Sequence, residues 1–294
     1  MRWHRWAGRL LAGSAAIALI AGCSAGSPSS TPAGSASLAV PDRVKSAGKL
    51  VWCSSTDYPP FESTAAGGPA EKGTDAVGLD VDIAAEVAKR LGVASRIDPT
   101  GWDSLLSSLG SKACDLVISG MTSTVSGRAE KADFVDYLRT WTGFLVAAGN
   151  PKGIRTVEDL AGKSVGVVPD TLTTGPDLRA ASADVVAAGK PAIEIVTATE
   201  PAEEWVKRLV SGQVDALAGD SVDDAYAIGK PPYAGASEIG GPAINPQPLG
   251  IAVRKDDAGM KAAVAAAIDA MYADGTMKAI VAKWGLTDAV ELLK

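Results

Sequence analysis

Short apolar segments alternate with amphipathic helical patterns along most of this chain, and the alternation limits the folds that it can adopt. Residues 116–118 form a continuous apolar run of the kind that a parallel sheet buries on both faces. Leu79, Ile83, Val87 and Leu91 recur four residues apart, which gives a helix one apolar face. Strands that alternate with helices, twice over, predict an α/β fold with two lobes joined by two crossover connections.

The predicted strands and helices also place the lobe boundaries. The first lobe is predicted to comprise residues 41–140 and a return segment at residues 246–294. The second lobe is predicted to comprise residues 141–245. Residues 141–148 would form the outgoing crossover strand.

The first 40 residues are predicted to lie outside the fold. Basic residues precede a short apolar run at residues 10–20, and Cys23 follows it, which is typical of a secretory signal peptide over residues 1–22. The segment that ends in Cys23 resembles a lipobox, which implies lipidation of that cysteine; the alternative is an unlipidated signal with an incidental cysteine. Residues 23–40 are rich in Ser, Ala, Gly and Pro and predict a flexible tether.

Charge and histidine content restrict the functions of the mature chain. Without the arginines of the signal peptide, 25 basic residues remain against 34 acidic ones, which argues against nucleic acid as a partner. His4 is the only histidine and lies in the signal peptide. The mature chain therefore has no imidazole for acid–base catalysis, a nucleophilic triad or metal ligation, and we expect no metal or cofactor.

The mature chain has two cysteines besides Cys23, namely Cys53 late in the first strand and Cys114 just before the third. On neighbouring parallel strands the two sulfurs would lie near opposite ends, about 13 Å apart at about 3.3 Å per residue. That separation exceeds disulfide reach, so the sequence predicts two free thiols.

The segment after residues 116–118 offers donors for an anion. Ser119, Gly120 and Thr122 follow the strand, Ser126 is a candidate N-cap, and Arg128 would lie in the first turn of a helix. In open α/β sheets ligands bind at the carboxyl ends of strands, and a guanidinium can hold a carboxylate bidentately. The alternative is a surface loop with a solvated arginine.

This segment, which reads DLVISGMTST…R…DF, resembles the family 3 extracellular binding proteins of ABC importers, the polar amino-acid family. The resemblance runs from about residue 49 to the end of the chain. It implies a type II periplasmic-binding-protein fold, and it implies that Ser119, Thr122 and Arg128 hold the α-carboxylate of an amino acid. The turn before Arg128 is one residue longer than is usual in the family.

The resemblance extends to residues from other predicted strand ends. It implies that Tyr58 and Trp102 stack on the ligand side chain from two sides, and that Thr171 closes over the carboxylate. It implies that Asp220 binds the α-ammonium; the alternative is that Asp220 caps the following helix. Other carboxylates at the predicted mouth of the site favour a cationic or amide side chain; they are Asp57, Glu62 and Asp170.

The family implies a lipid-anchored, extracytoplasmic receptor that delivers a small polar amino acid to ABC permease subunits as a monomer. Two other functions remain open. An enzyme on the same fold, such as a dehydratase, would need a carboxylate, lysine or tyrosine as its acid or base. An extracellular sensor domain is the third possibility, but here the tether leads to a lipid and not to a transmembrane helix.

Overall fold

The computed structural model describes residues 39–167, 174–197 and 202–294, and this part of the chain alternates between strands and helices. The strands are β1 Lys49–Ser54, β2 Ala94–Pro99, β3 Leu116–Val117, β4 Asp133–Ala147, β5 Ser164–Val167, β6 Glu194–Thr197, β7 Ala216–Asp220, β8 Ser237–Ile239 and β9 Ile244–Val253. The helices are α1 Asp42–Ala47, α2 Leu79–Arg90, α3 Leu105–Gly110, α4 Arg128–Lys131, α5 Thr174–Ala187, α6 Ala202–Ser211, α7 Ser221–Ala227, α8 Ala258–Ala273 and α9 Thr276–Lys283. The predicted α/β alternation is confirmed.

The strands form one sheet in the order β2-β1-β3-β9-β4-β7-β5-β6, and β8 pairs with β4. Strands β1 to β3 are parallel to one another and form the first strand set. Strands β5 to β7 are also parallel and form the second strand set. The antiparallel strands β4 and β9 lie between the two sets.

The connection between the strand sets differs from the predicted one. Residues 141–148 do not form a separate crossover strand, because β4 runs without a break over Asp133–Ala147. Its first part pairs with β9 between Asp133↔Val253 and Thr142↔Ile244, and its last part pairs with β7. Two long antiparallel strands therefore join the sets, and the exact lobe boundaries stay a prediction.

Separate hydrophobic cores support the two strand sets. Helices α2, α8 and α9 pack with β1 and β9 around Trp52 and Ile83. Helix α5 packs with β5 and β7 around Val165 and Leu178. Each core buries the apolar helix face against a sheet, which leaves the carboxyl ends of the strands open for polar side chains.

The prediction of free thiols is wrong, because Cys53 and Cys114 form a disulfide with Cα atoms 5.8 Å apart. The expected separation of about 13 Å assumes that Cys114 continues the line of the third strand. In the structure β3 begins only at Leu116, and Cys114 lies in the turn between α3 and β3. That turn places Cys114 over the sheet face with Cys53, in a small core that also includes Leu109.

None of the helices in the described part of the chain combines the length and the apolar character that a membrane span needs. The predicted signal peptide, Cys23 and most of the tether lie outside the described residues.

Candidate functional site

A cavity of about 410 Å³ lies where segments that follow the carboxyl ends of both strand sets meet. The first set contributes residues after β1, β2 and β3, and the second contributes the start of α5, the end of β7 and the start of α7. The lining residues are Ser55, Asp57, Tyr58, Trp102, Gly120, Thr122, Val125, Arg128, Thr174, Asp220 and Asp223.

Most of the side chains that the sequence singles out meet in this cavity. The predicted residues that line it are Asp57, Tyr58, Trp102, Gly120, Thr122, Arg128 and Asp220. Ser119 and Glu62 are fully buried and are absent from the lining. Asp170 and Thr171 lie outside the described residues.

Arg128 supplies positive charge to the cavity from the first residue of α4. Gly127, with φ 81°, precedes the helix, and Ser126 does not cap it, contrary to the prediction. The Arg128 guanidinium donates to the Thr122 carbonyl oxygen at 2.5 Å and lies 5.4 Å from the centre of the Trp102 ring. Burial lowers the pKa of Arg128 below its usual 12.5. Among the described residues no carboxylate pairs with this guanidinium, so it is available to an anionic ligand group.

Tyr58 forms an aromatic wall of the cavity, supported by the core. Its ring lies 4.9 Å from that of Phe61, which is buried in the core of the first strand set. Gly120 faces these rings at φ 52°, and a Cβ atom there would lie 2.9 Å from Tyr58 Cε1. Only glycine fits this position without displacing the aromatic wall.

Ser119 supports the cavity from behind and does not line it, so its ligand role stays a prediction. Its hydroxyl accepts the backbone N–H of Ser55 at 3.0 Å and donates to Glu62 Oε1, so its proton is already engaged. Glu62 is correspondingly not at the mouth of the site. Burial, and next the charge of Asp80, raise the pKa of Glu62 well above its usual value.

Asp80 supports Gly120, the residue that follows Ser119 in the chain. Its carboxylate accepts the Gly120 backbone N–H at 2.6 Å and the Tyr137 hydroxyl at 2.8 Å. It does not cap α2, whose N-cap residue is Gly78. Burial raises the pKa of Asp80 to about 7. Two buried acids, Glu62 and Asp80, thus fix the backbone from which Thr122 and Arg128 follow.

Negative charge enters the cavity from the second strand set. Asp220 ends β7 and accepts the Val222 backbone N–H at 2.9 Å, so it caps α7 and lines the cavity at once. Burial raises the pKa of Asp220 to about 6. Thr142 pairs with Asp220 across β4 and β7, and this register fixes the position of the carboxylate.

Asp223 also lines the cavity, although the sequence analysis did not include it in the site. It lies in the first turn of α7, and the Tyr58 hydroxyl donates to its Oδ2 atom at 3.5 Å. Burial, and next the charge of Asp220, raise the pKa of Asp223 well above its usual value. A sequence signal for Asp223 was its spacing from Asp220 at the start of a helix, because residues three apart lie on the same side of a helix.

The cavity therefore presents a guanidinium from the first strand set and carboxylates from the second, with aromatic walls. This arrangement can hold a small molecule that carries both a negative and a positive group. Among the described residues, no group of three or more His, Cys, Asp or Glu side chains is arranged to hold a metal ion.

Comparison with known proteins agrees with this architecture. Residues 50–287 match the model of the family described as "Bacterial extracellular solute-binding proteins, family 3". The L-cystine-binding protein TcyJ of Escherichia coli (strain K12) is 31% identical over 275 residues, which are 93% of this chain and 94% of that protein. The histidine-binding periplasmic protein of Salmonella typhimurium is 31% identical over 234 residues, 77% of this chain and 84% of that one.

A solved structure shows the same fold. The "Ancestral Cationic Amino Acid Solute Binding Protein (AncCDT-1)" superimposes with a TM-score of 0.65 at 29% identity, covering 83% of this chain and 98% of that chain. The same ancestral protein is described as a precursor of cyclohexadienyl dehydratase. The fold is that of the type II periplasmic amino-acid-binding proteins.

Proposed function

Because this chain belongs to family 3 of the bacterial extracellular solute-binding proteins, we propose that it is a lipid-anchored receptor that binds a polar amino acid and delivers it to an ABC importer. The relatives described above bind amino acids and support the ligand class. The finer points, namely the importer, the anchor and the ligand contacts, rest on the site and the sequence.

One observation carries the proposal: Arg128 and Asp220 line the same cavity from different strand sets. The Arg128 guanidinium would hold the α-carboxylate, helped by Thr122, and Asp220 would hold the α-ammonium. Tyr58 and Trp102 would contact the side chain. A zwitterion that bridges the two sets stabilises the arrangement in which they approach each other, and hinge closure of this kind is common among periplasmic binding proteins.

The remaining charges of the cavity favour a cationic or amide side chain. Asp57 and Asp223 line the cavity in addition to Asp220, and Arg128 is the only cationic side chain among its described lining residues. An acidic side chain would meet these carboxylates and would be disfavoured by repulsion.

The transport role explains the predicted ends of the chain. Lipidation at Cys23 would hold the protein at the outer face of the membrane, and the tether would let it reach permease subunits while remaining a monomer. Receptor function requires no chemistry on the ligand, so Asp220 and Asp223 would serve binding only.

A thermal-shift panel of amino acids, amines and sugars tests the proposal, because a ligand that binds only the folded state raises its stability. We expect melting-temperature increases with α-amino acids that have cationic or amide side chains. Increases with sugars or simple amines alone would reject the ligand class. Chemical conversion of the stabilising amino acid, detected by mass spectrometry, would favour the enzyme alternative.

A further inference from the structure

A second cavity of about 300 Å³ adjoins the first, and Asp220 and Asp223 line both. It extends into the second strand set, where Trp205, Asp224 and Tyr233 also line it. The family resemblance assigns no role to this cavity.

Asp224 lies deep in this region, with its carboxylate packed on two glycines. Gly143 and Gly219 are paired across β4 and β7. A Cβ atom on Gly219 would lie 2.5 Å from Asp224 Oδ1, and one on Gly143 would lie 3.1 Å from Oδ2. The two glycines therefore provide the space that the carboxylate occupies.

Asp224 keeps an unused acceptor. Asp224 is only 7% exposed, and among the described residues its Oδ2 atom has no hydrogen-bond partner. Buried polar atoms are paired in most native structures, so an orphaned carboxylate oxygen beside a cavity indicates a group that arrives with a ligand.

Trp205 gives an independent indication that the cavity binds a polar molecule. The residue is 4% exposed, and its indole Nε1–H has no acceptor among the residues that the structure describes. Its ring lines the cavity with that of Tyr233, and the Arg208 guanidinium lies 5.4 Å from the centre of the indole ring, so this aromatic wall already contacts one cation.

The charges of the two cavities indicate which kind of ligand group would contact Asp224. The described lining residues of both include four carboxylates, those of Asp57, Asp220, Asp223 and Asp224, against the single guanidinium of Arg128. A zwitterion with a neutral side chain leaves this excess unchanged. A second positive charge on the ligand would reduce it, and buried carboxylates are stabilised by a paired cation.

We propose that the second cavity is a subsite for the distal cationic group of the bound amino acid, a guanidinium or alkylammonium accepted by Asp223 and Asp224. The inference rests on the proposed function. It identifies the distal group of the ligand side chain, which the proposed function does not specify. Asp220 and Asp224 are separated by about one turn of α7, roughly 6 Å along the helix axis. That distance is comparable with the length of an extended arginine or lysine side chain.

Arginine and citrulline form a matched pair for the test, because citrulline replaces the guanidinium by a neutral urea of nearly the same shape. Titration calorimetry on the wild-type protein should give arginine at least about tenfold tighter binding than citrulline. In Asp224→Asn, which keeps the size of the side chain, this ratio should fall to within about threefold of unity. Asp288→Asn, on the exposed surface, removes one carboxylate elsewhere and should leave the ratio unchanged.

Asp223→Asn is the second variant and should also lower the ratio. The melting temperature of each ligand-free variant shows whether it is folded. A wild-type ratio near one, or a ratio that persists in both folded variants, would overturn the subsite while amino-acid binding itself stands. Failure of every amino acid to bind would overturn the proposed function and the subsite together.

Discussion

The Arg128 guanidinium and the Asp220 carboxylate line one cavity of about 410 Å³, although they come from different strand sets. Arg128 begins the helix that follows β3, and Asp220 ends β7 and caps α7. Opposite charges at a shared cavity suit a zwitterion, since each end of the ligand then finds a partner from one strand set.

Replacing Arg128 by alanine should abolish most amino-acid binding. Loss of a charged, bidentate donor costs about 3 kcal/mol, or roughly 100-fold in affinity. Calorimetry on Arg128→Ala checks this, and the melting temperature of the ligand-free variant should change little, because no carboxylate among the described residues pairs with Arg128. Lys131→Ala, an exposed cation of the same helix, is the control. Unchanged affinity in Arg128→Ala would remove the carboxylate role.

Asp220→Asn should weaken α-amino acids far more than their des-amino analogues. The variant keeps an oxygen that can cap α7 but loses the charge that would pair with the α-ammonium. We expect a loss of about 30-fold or more for the amino acid and at most a fewfold loss for the carboxylic acid that lacks the amino group. Equal losses for both compounds would indicate that Asp220 only supports the helix.

The stability of the ligand-free protein should decrease as the pH rises from about 4 to about 7. Burial raises the pKa of Asp80 from 3.8 to about 7, and the pKa of Glu62 is raised as well. The unfolded chain releases these protons near pH 4, whereas the folded chain retains them, so the stabilisation is complete below about pH 4 and is lost as the pH rises through 7. Each group contributes a slope of up to about 1.4 kcal/mol per pH unit.

Denaturant unfolding at several pH values measures this slope. Asp80→Asn cannot titrate at this position and should reduce the slope without abolishing it, because Glu62, Asp220 and Asp223, whose pKa values are also raised, still titrate. Asp75→Asn, on the exposed surface nearby, should retain the wild-type slope. A stability that does not depend on pH in this range would show that the two acids do not retain their protons.

Removing the Cys53–Cys114 disulfide should destabilise the first strand set. The bond closes a loop with a sequence separation of 61 residues, for which loss of the cross-link costs about 2–4 kcal/mol. The double variant Cys53→Ala/Cys114→Ala should therefore melt at a lower temperature. Dithiothreitol should lower the melting temperature of the wild type but not that of the variant; no effect on the wild type would mean that the bond is not formed in solution.

The sequence predicted those features that depend on local pattern. Apolar runs and helix periodicity predicted the α/β alternation, and the polar residues directly after β3 predicted Gly120, Thr122 and Arg128. The family resemblance added Tyr58 and Asp220, and all five residues line the cavity. Parallel strands bring their carboxyl ends to one edge of the sheet, so residues that directly follow different strands become neighbours in space.

Features that depend on register and on the path of turns were missed. Cys114 reaches Cys53 because it lies in the turn between α3 and β3 and packs with Cys53 in one small core, and residue counting along a straight strand cannot show this. Ser119 is one residue too early to face the cavity, so its hydroxyl contacts Glu62 instead. Asp223 and Asp224 look like ordinary first-turn charges until the packing of α7 on β4 and β7 shows that Asp224 is buried and Asp223 half-buried.

A crystal structure of the mature protein with the amino acid that stabilises it most tests the central claim directly. We expect the ligand to lie in the 410 Å³ cavity, with its α-carboxylate on the Arg128 guanidinium and its α-ammonium on the Asp220 carboxylate. An amino acid bound elsewhere, or bound in this cavity without contact to both residues, would contradict it.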